Sequence, residues 1–133
     1  MDKKEQGRKN RKAGKTFEDK VFKQFTENNW IISRWMMNVH GGKICKAKPK
    51  IFRGRIINYF TGFPDFIAYY LIDPLQFPGA YAVIGVECKK GKYLTKKEKE
   101  KCEICLQHKL FSKIFIVSKG KKRGEIIYEE FKN

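Results

Sequence analysis

The sequence predicts an α/β fold in which a central mixed β-sheet is flanked by helices. Three observations lead there. Phe17, Val21, Phe22 and Phe25 recur at helical spacing, so an amphipathic helix lies near the N-terminus. Residues 66–72 and 81–86 are short apolar runs rich in Val, Ile and Tyr, which suits strands. The breaker-rich Asp73-Pro74-Leu75-Gln76-Phe77-Pro78-Gly79 separates them. Thr95 is then a good N-cap for a second helix, expected to run to about Leu110.

Taken in order, residues 1–15 hold seven Lys/Arg, two acids, two Gly and almost nothing apolar, which reads as a flexible basic arm. A single domain is expected over 16–133, with Thr16 as N-cap of the first helix. Glu18 lies one turn before Phe22 and borders the apolar stripe, whereas Asp19 points away. Residues 30–39, rich in Ile, Trp and Met, form an expected strand, closed by the turn signal His40-Gly41-Gly42. The segment 43–55 carries Lys43, Lys46, Lys48, Lys50, Arg53 and Arg55 and no acid. Ile51, Phe52, Ile56, Ile57, Tyr59 and Phe60 are interleaved with these or follow them. A basic hairpin or flap is expected there, the alternative being a solvated loop with a small strand behind it. The run 80–89 is apolar on both faces, as a central strand is. Short strands at 113–117 and 125–131, joined by a basic turn at 119–124, complete the chain.

A length of 133 residues with 41% hydrophobic content is enough for one modest core and argues against wholesale disorder. Thirty Lys+Arg against fourteen Asp+Glu give a net charge of +16, which suits a polyanionic partner, nucleic acid being the commonest. A thermophile's charged surface is the bland alternative, but such surfaces balance Lys with Glu. No apolar run approaches the roughly 20 residues that cross a bilayer. The N-terminus has no apolar signal region, so no membrane partner and a cytoplasmic location are expected. Cysteines stand at 45, 88, 102 and 105. Cys102-Glu103-Ile104-Cys105 has metal-ligand spacing, but the second such pair of a zinc ribbon is missing. The pair also falls in helical line with Leu94 and Leu106, so two buried cysteines are expected and a metal is the alternative.

Chemistry concentrates in Gly62-Phe63-Pro64-Asp65, which opens one apolar run, and Glu87-Cys88-Lys89, which closes the next. Side chains alternate along a strand, so Glu87 and Lys89 share a face and Cys88 takes the other. On neighbouring strands, Asp65, Glu87 and Lys89 can converge. Paired carboxylates suit a hard divalent cation, and such a cation with an ammonium nearby suits attack on a phosphodiester. A structural ion pair is the alternative. A charged Glu and Lys ending a buried strand are nevertheless costly without compensation.

These residues resemble the PD-(D/E)XK nuclease superfamily, with Asp65 as its metal-binding Asp, Glu87-Cys88-Lys89 as its ExK half, and a separation of 87 − 65 = 22 residues. The likeness is nearest to archaeal Holliday-junction-resolvase-like and VRR-NUC-type nucleases. It covers roughly 16–117 and includes the Gly91-Lys92-Tyr93-Leu94-Thr95 helix opening. Glu98 stands where the second group often has glutamine. The resemblance implies a restriction-endonuclease-like core and a Mg²⁺- or Mn²⁺-dependent endodeoxyribonuclease. It implies a homodimer acting on DNA, with Holliday junctions or other branched DNA as substrate. Asp65, Glu87, the Cys88 carbonyl and Glu18 would be the metal ligands and Lys89 a catalytic base or charge stabiliser. Lys43, Lys46, Lys48, Lys50, Arg53, Arg55, Lys90 and Lys92 would touch DNA. Two rivals stay open, a non-catalytic basic nucleic-acid-binding protein and a ribonuclease; for the latter only His40 and His108 could serve as general acid or base.

Overall fold

The structure is a computed structural model that describes residues 2–58, 62–91 and 93–132. Its elements are α1 (Lys3–Glu27), β1 (Ile31–Arg34), β2 (Met37–His40), β3 (Lys43–Lys46), β4 (Lys50–Phe52) and β5 (Arg55–Asn58), then β6 (Phe66–Leu71), β7 (Tyr81–Lys89), α2 (Lys96–Gln107), β8 (Lys113–Lys119) and β9 (Ile126–Glu130). Five strands form one mixed sheet in the order β1-β6-β7-β8-β9. All neighbours are antiparallel except β7 and β8. A parallel pair needs a crossover, and α2 lies in it. The β2–β3 and β4–β5 hairpins stand as two separate ribbons.

Alternation along the strands assigns each helix its face. Phe66 and Ala68 of β6, Ile84 and Val86 of β7, and Val117 of β8 pack with Phe17, Val21 and Phe25 of α1. On the opposite face, Ile114 and Ile116 of β8 pack with Cys102 and Cys105 of α2 and with Phe63 and Phe111. The two cysteines are therefore core side chains of α2. Burial pushes their thiols up to about 12 for Cys102 and about 11 for Cys105, away from the thiolate a metal prefers.

Three expectations are corrected. Residues 3–15 are not an arm apart from the domain's first helix but its N-terminal half, capped by Asp2, whose carboxylate accepts the Glu5 N–H at 2.7 Å. Thr16 lies inside the helix, its hydroxyl donating to the Lys12 carbonyl. Lys, Arg, Gln and Ala continue the helix at little cost once residues 17–25 are packed. Residues 30–39 form two strands, because the chain leaves the sheet after Arg34. There the Trp35 N–H donates to the Asp65 carbonyl, and the Met36 carbonyl accepts the Ala47 N–H. Finally, α2 ends at Gln107 rather than near Leu110, since Lys109 has left-handed backbone (φ 56°).

Candidate active site

Strand register brings the two carboxylates together. Phe66 pairs with Val86 in the antiparallel β6–β7 ladder, so the preceding Asp65 comes opposite Glu87. Each carboxylate is then fixed by the other strand's backbone. Glu87 Oε1 accepts the Asp65 N–H at 3.1 Å, and Asp65 Oδ2 accepts the Cys88 N–H at 2.8 Å. Close approach holds Asp65 from behind. A Cβ on Gly85 would sit 2.8 Å from the buried Pro64 ring and 3.1 Å from Phe111, so glycine lets Pro64 settle onto β7. A Cβ on Gly62 would overlap the Trp35 carbonyl. The Gly-Phe-Pro-Asp string is thus a packing motif that aims one carboxylate.

Electrostatics at the pair are unusual. Glu87 is 5% exposed and Asp65 half-buried. Burial pushes the Glu87 carboxyl well above its ordinary range, and the Asp65 charge and a hydrogen bond between the two carboxyls push it further. Burial, and the Glu18 charge, also raise Asp65, against the Cys88 N–H, the Glu87 hydrogen bond and Arg34. Two carboxyls so placed titrate as a pair, and each resists ionising beside the other. Lys89 Nζ lies 3.8 Å from Glu87 Oε2 and pairs more closely with Glu98 Oε2. Glu98 is a residue that sequence reasoning left without a role. Its Oε1 accepts the Thr95 N–H, completing a capping box that begins α2. Burial alone would raise the Glu98 carboxyl, but Lys89 and the Thr95 backbone together lower it. The signal was present as the Thr-x-x-Glu spacing, which announces a cap and says nothing of Lys89.

The other expected residues stand around this pair or on the surface. Glu18 of α1 lies near enough to be felt by Asp65, but its carboxylate is held by Arg34 at 2.8 Å. The Cys88 side chain packs toward the α1 face, away from Glu87 and Lys89, and burial raises its thiol. Lys43, Lys46, Lys48, Lys50, Arg53, Arg55 and Lys90 are all exposed, whereas Lys92 lies outside the described residues, as do Tyr59 and Phe60.

Among the described residues no group of three or more His, Cys, Asp or Glu side chains could hold a metal by itself. The Asp65–Glu87 pair nevertheless fits a hard cation in its chemistry. All four of its donors are oxygens, and among the described residues each carboxyl has one oxygen that no backbone N–H engages. Magnesium accepts so few protein ligands because it keeps several waters. Among the described residues no helix is long and apolar enough to cross a membrane. Comparisons with family models, curated proteins and solved structures give no match to this chain.

Proposed function

We propose that the protein is a metal-dependent endonuclease that hydrolyses phosphodiester bonds in DNA on a restriction-endonuclease-like core. One observation carries this reading. Asp65 and Glu87 stand opposite each other at the ends of two central strands, each carboxylate pinned by a backbone N–H of the other strand, with Lys89 beside them. The resemblance of these residues to the PD-(D/E)XK pattern and the net charge of +16 support it.

Asp65, Glu87 and the Cys88 backbone carbonyl would hold Mg²⁺ or Mn²⁺. When bound, the cation supplies Lewis-acid stabilisation of charge on a phosphate and eases deprotonation of an attacking water. Lys89 sets an ammonium beside Glu87, where charge develops on the phosphate under attack. Glu98 holds that amine through one oxygen while the other caps α2, so the position of Lys89 is tied to the start of the helix.

One observation favours a second reading. With Glu98 on one side and Glu87 on the other, Lys89 also completes an ion-pair cluster that needs no cation, as in a non-catalytic basic nucleic-acid binder. Incubating the protein with Mg²⁺ or Mn²⁺ and a four-way junction, a linear duplex and a single strand separates the two. A nuclease cuts at least one of these DNAs, stops in EDTA, and loses about 10³-fold or more of its rate in Glu87→Ala with binding retained. Paired nicks confined to the junction mark a resolvase. Tight binding with no metal-dependent cutting of any DNA marks the binder. Cutting that survives EDTA contradicts the site altogether.

A further inference from the structure

The β4–β5 hairpin is built to project. Its turn is Arg53-Gly54, both with left-handed backbone (φ 51° and 75°), which makes a two-residue connection whose twist matches the strands it joins. Ile51 pairs with Ile56 across the ribbon and Phe52 with Arg55. Residues 48–57 are all exposed, beginning just after the buried Ala47. A ribbon this exposed keeps large apolar groups in solvent. Ile51 is 62% exposed, Phe52 59% and Ile57 56%. Two arginines neighbour Phe52, with the Arg53 guanidinium 5.3 Å from its ring centroid and Arg55 opposite it in register.

Such a tip suits one occupant. The span 43–58 holds six cations and no acid, so a second copy of this chain would meet it with like charge. A membrane surface is approached by elements that separate an apolar face from a charged one. Here Phe52 shares its end of the ribbon with arginines, and apolar side chains occupy both faces. Duplex DNA offers the matching alternation, an apolar base step between two rows of phosphate. Two-stranded ribbons enter its grooves, and apolar side chains unstack base steps there. The tip is also within range of the site. Arg55 precedes Asp65 by 65 − 55 = 10 residues. Ten residues span at most about 35 Å, which is about one helical turn of duplex.

We propose that the β4–β5 hairpin is a wedge for duplex DNA, in which Phe52 inserts between stacked bases while Lys50, Arg53 and Arg55 hold the flanking phosphates. The wedge rests on the DNA partner of the proposed function and not on cleavage. It would distort the substrate within one turn of the cut, which favours sites that already bend or branch.

The test uses the full-length protein in EDTA and a duplex carrying 2-aminopurine at successive positions, read by fluorescence and by a salt titration of binding. The wedge predicts a severalfold rise at one or two adjacent positions. Phe52→Ala abolishes that rise and leaves the salt slope unchanged, because no phosphate contact is lost. Arg55→Ala keeps the rise at saturating protein and lowers the salt slope by about 1. Phe52 is exposed, so its truncation leaves the melting temperature nearly unchanged and the comparison is not one of folding. Three outcomes overturn the wedge: bound DNA with no rise at any position, a rise that persists in Phe52→Ala, or Phe52-dependent binding to phosphatidylserine vesicles with no response on DNA. A Phe52-dependent rise without Mg²⁺-dependent cutting would remove the nuclease and keep the wedge.

Discussion

Two stretches of this chain treat charge in opposite ways. At the β6–β7 pair, Glu87 is 5% exposed, and the two carboxyls lean on each other, on backbone N–H groups and on Lys89. At the β4–β5 hairpin, Lys50, Arg53 and Arg55 stand in water with Phe52 uncovered among them. Burying a carboxylate is expensive, and a chain tolerates it where geometry must be exact to a fraction of an ångström. Displaying a cation costs almost nothing, and its contribution reaches outward to a partner. The inner charges are therefore the place to look for chemistry and the outer ones for binding.

Truncation should separate the regions most sharply. Phe66 is 2% exposed and packs between α1 and the sheet, one residue from Asp65. Phe66→Ala should cost about 3–5 kcal/mol in a denaturant melt. Phe52→Ala should cost within about 0.5 kcal/mol. Similar costs at the two positions would mean that the hairpin is packed on something and is no free tip.

Proton linkage gives a smaller and more selective contrast. The Glu87 carboxyl is raised on folding, by burial first, and Asp65 is raised as well. A group raised in this way adds stability that is full below its unfolded value and is lost as pH rises through its folded value. The metal-free protein should therefore lose melting temperature as pH climbs from the ordinary carboxylate range toward neutrality. Mg²⁺ replaces the proton, so its stabilising shift should grow over the same window. Glu98, lowered by Lys89 and the Thr95 backbone against its own burial, contributes with the opposite sign and only at acid pH. Glu87→Gln should flatten both the fall and the Mg²⁺ response, whereas Arg53→Ala should leave them alone. Melting curves in EDTA and in Mg²⁺ across pH test this, and a Mg²⁺ shift independent of pH would contradict it.

Much of this arrangement was legible in the chain, for reasons that differ by element. The strands β6 and β7 announce themselves because apolar runs bounded by Pro and Gly have little else to be, and period-two alternation then sets Glu87 and Lys89 on one face. Thr95 announces α2 through its capping box. The front half of α1 is silent, because a helix whose side chains are mostly exposed leaves no apolar period to read. The break after Arg34 is equally silent. It depends on backbone bonds from Trp35 to Asp65 and from Ala47 to Met36, which local pattern does not encode. Likewise, nothing in the spacing of Glu98 or Arg34 reveals that one holds Lys89 and the other holds Glu18.

The central claim is that Asp65 and Glu87 form one divalent-cation site, and direct metal binding tests it without any assumption about substrate. Electron paramagnetic resonance of Mn²⁺ titrated into the protein reports free and bound ion at once. The account predicts one site of matching strength per chain, displaced by Mg²⁺, tightening as pH rises, and lost in both Asp65→Asn and Glu87→Gln. A protein that binds no Mn²⁺, or binds it as well in both variants as in the wild type, would contradict the account.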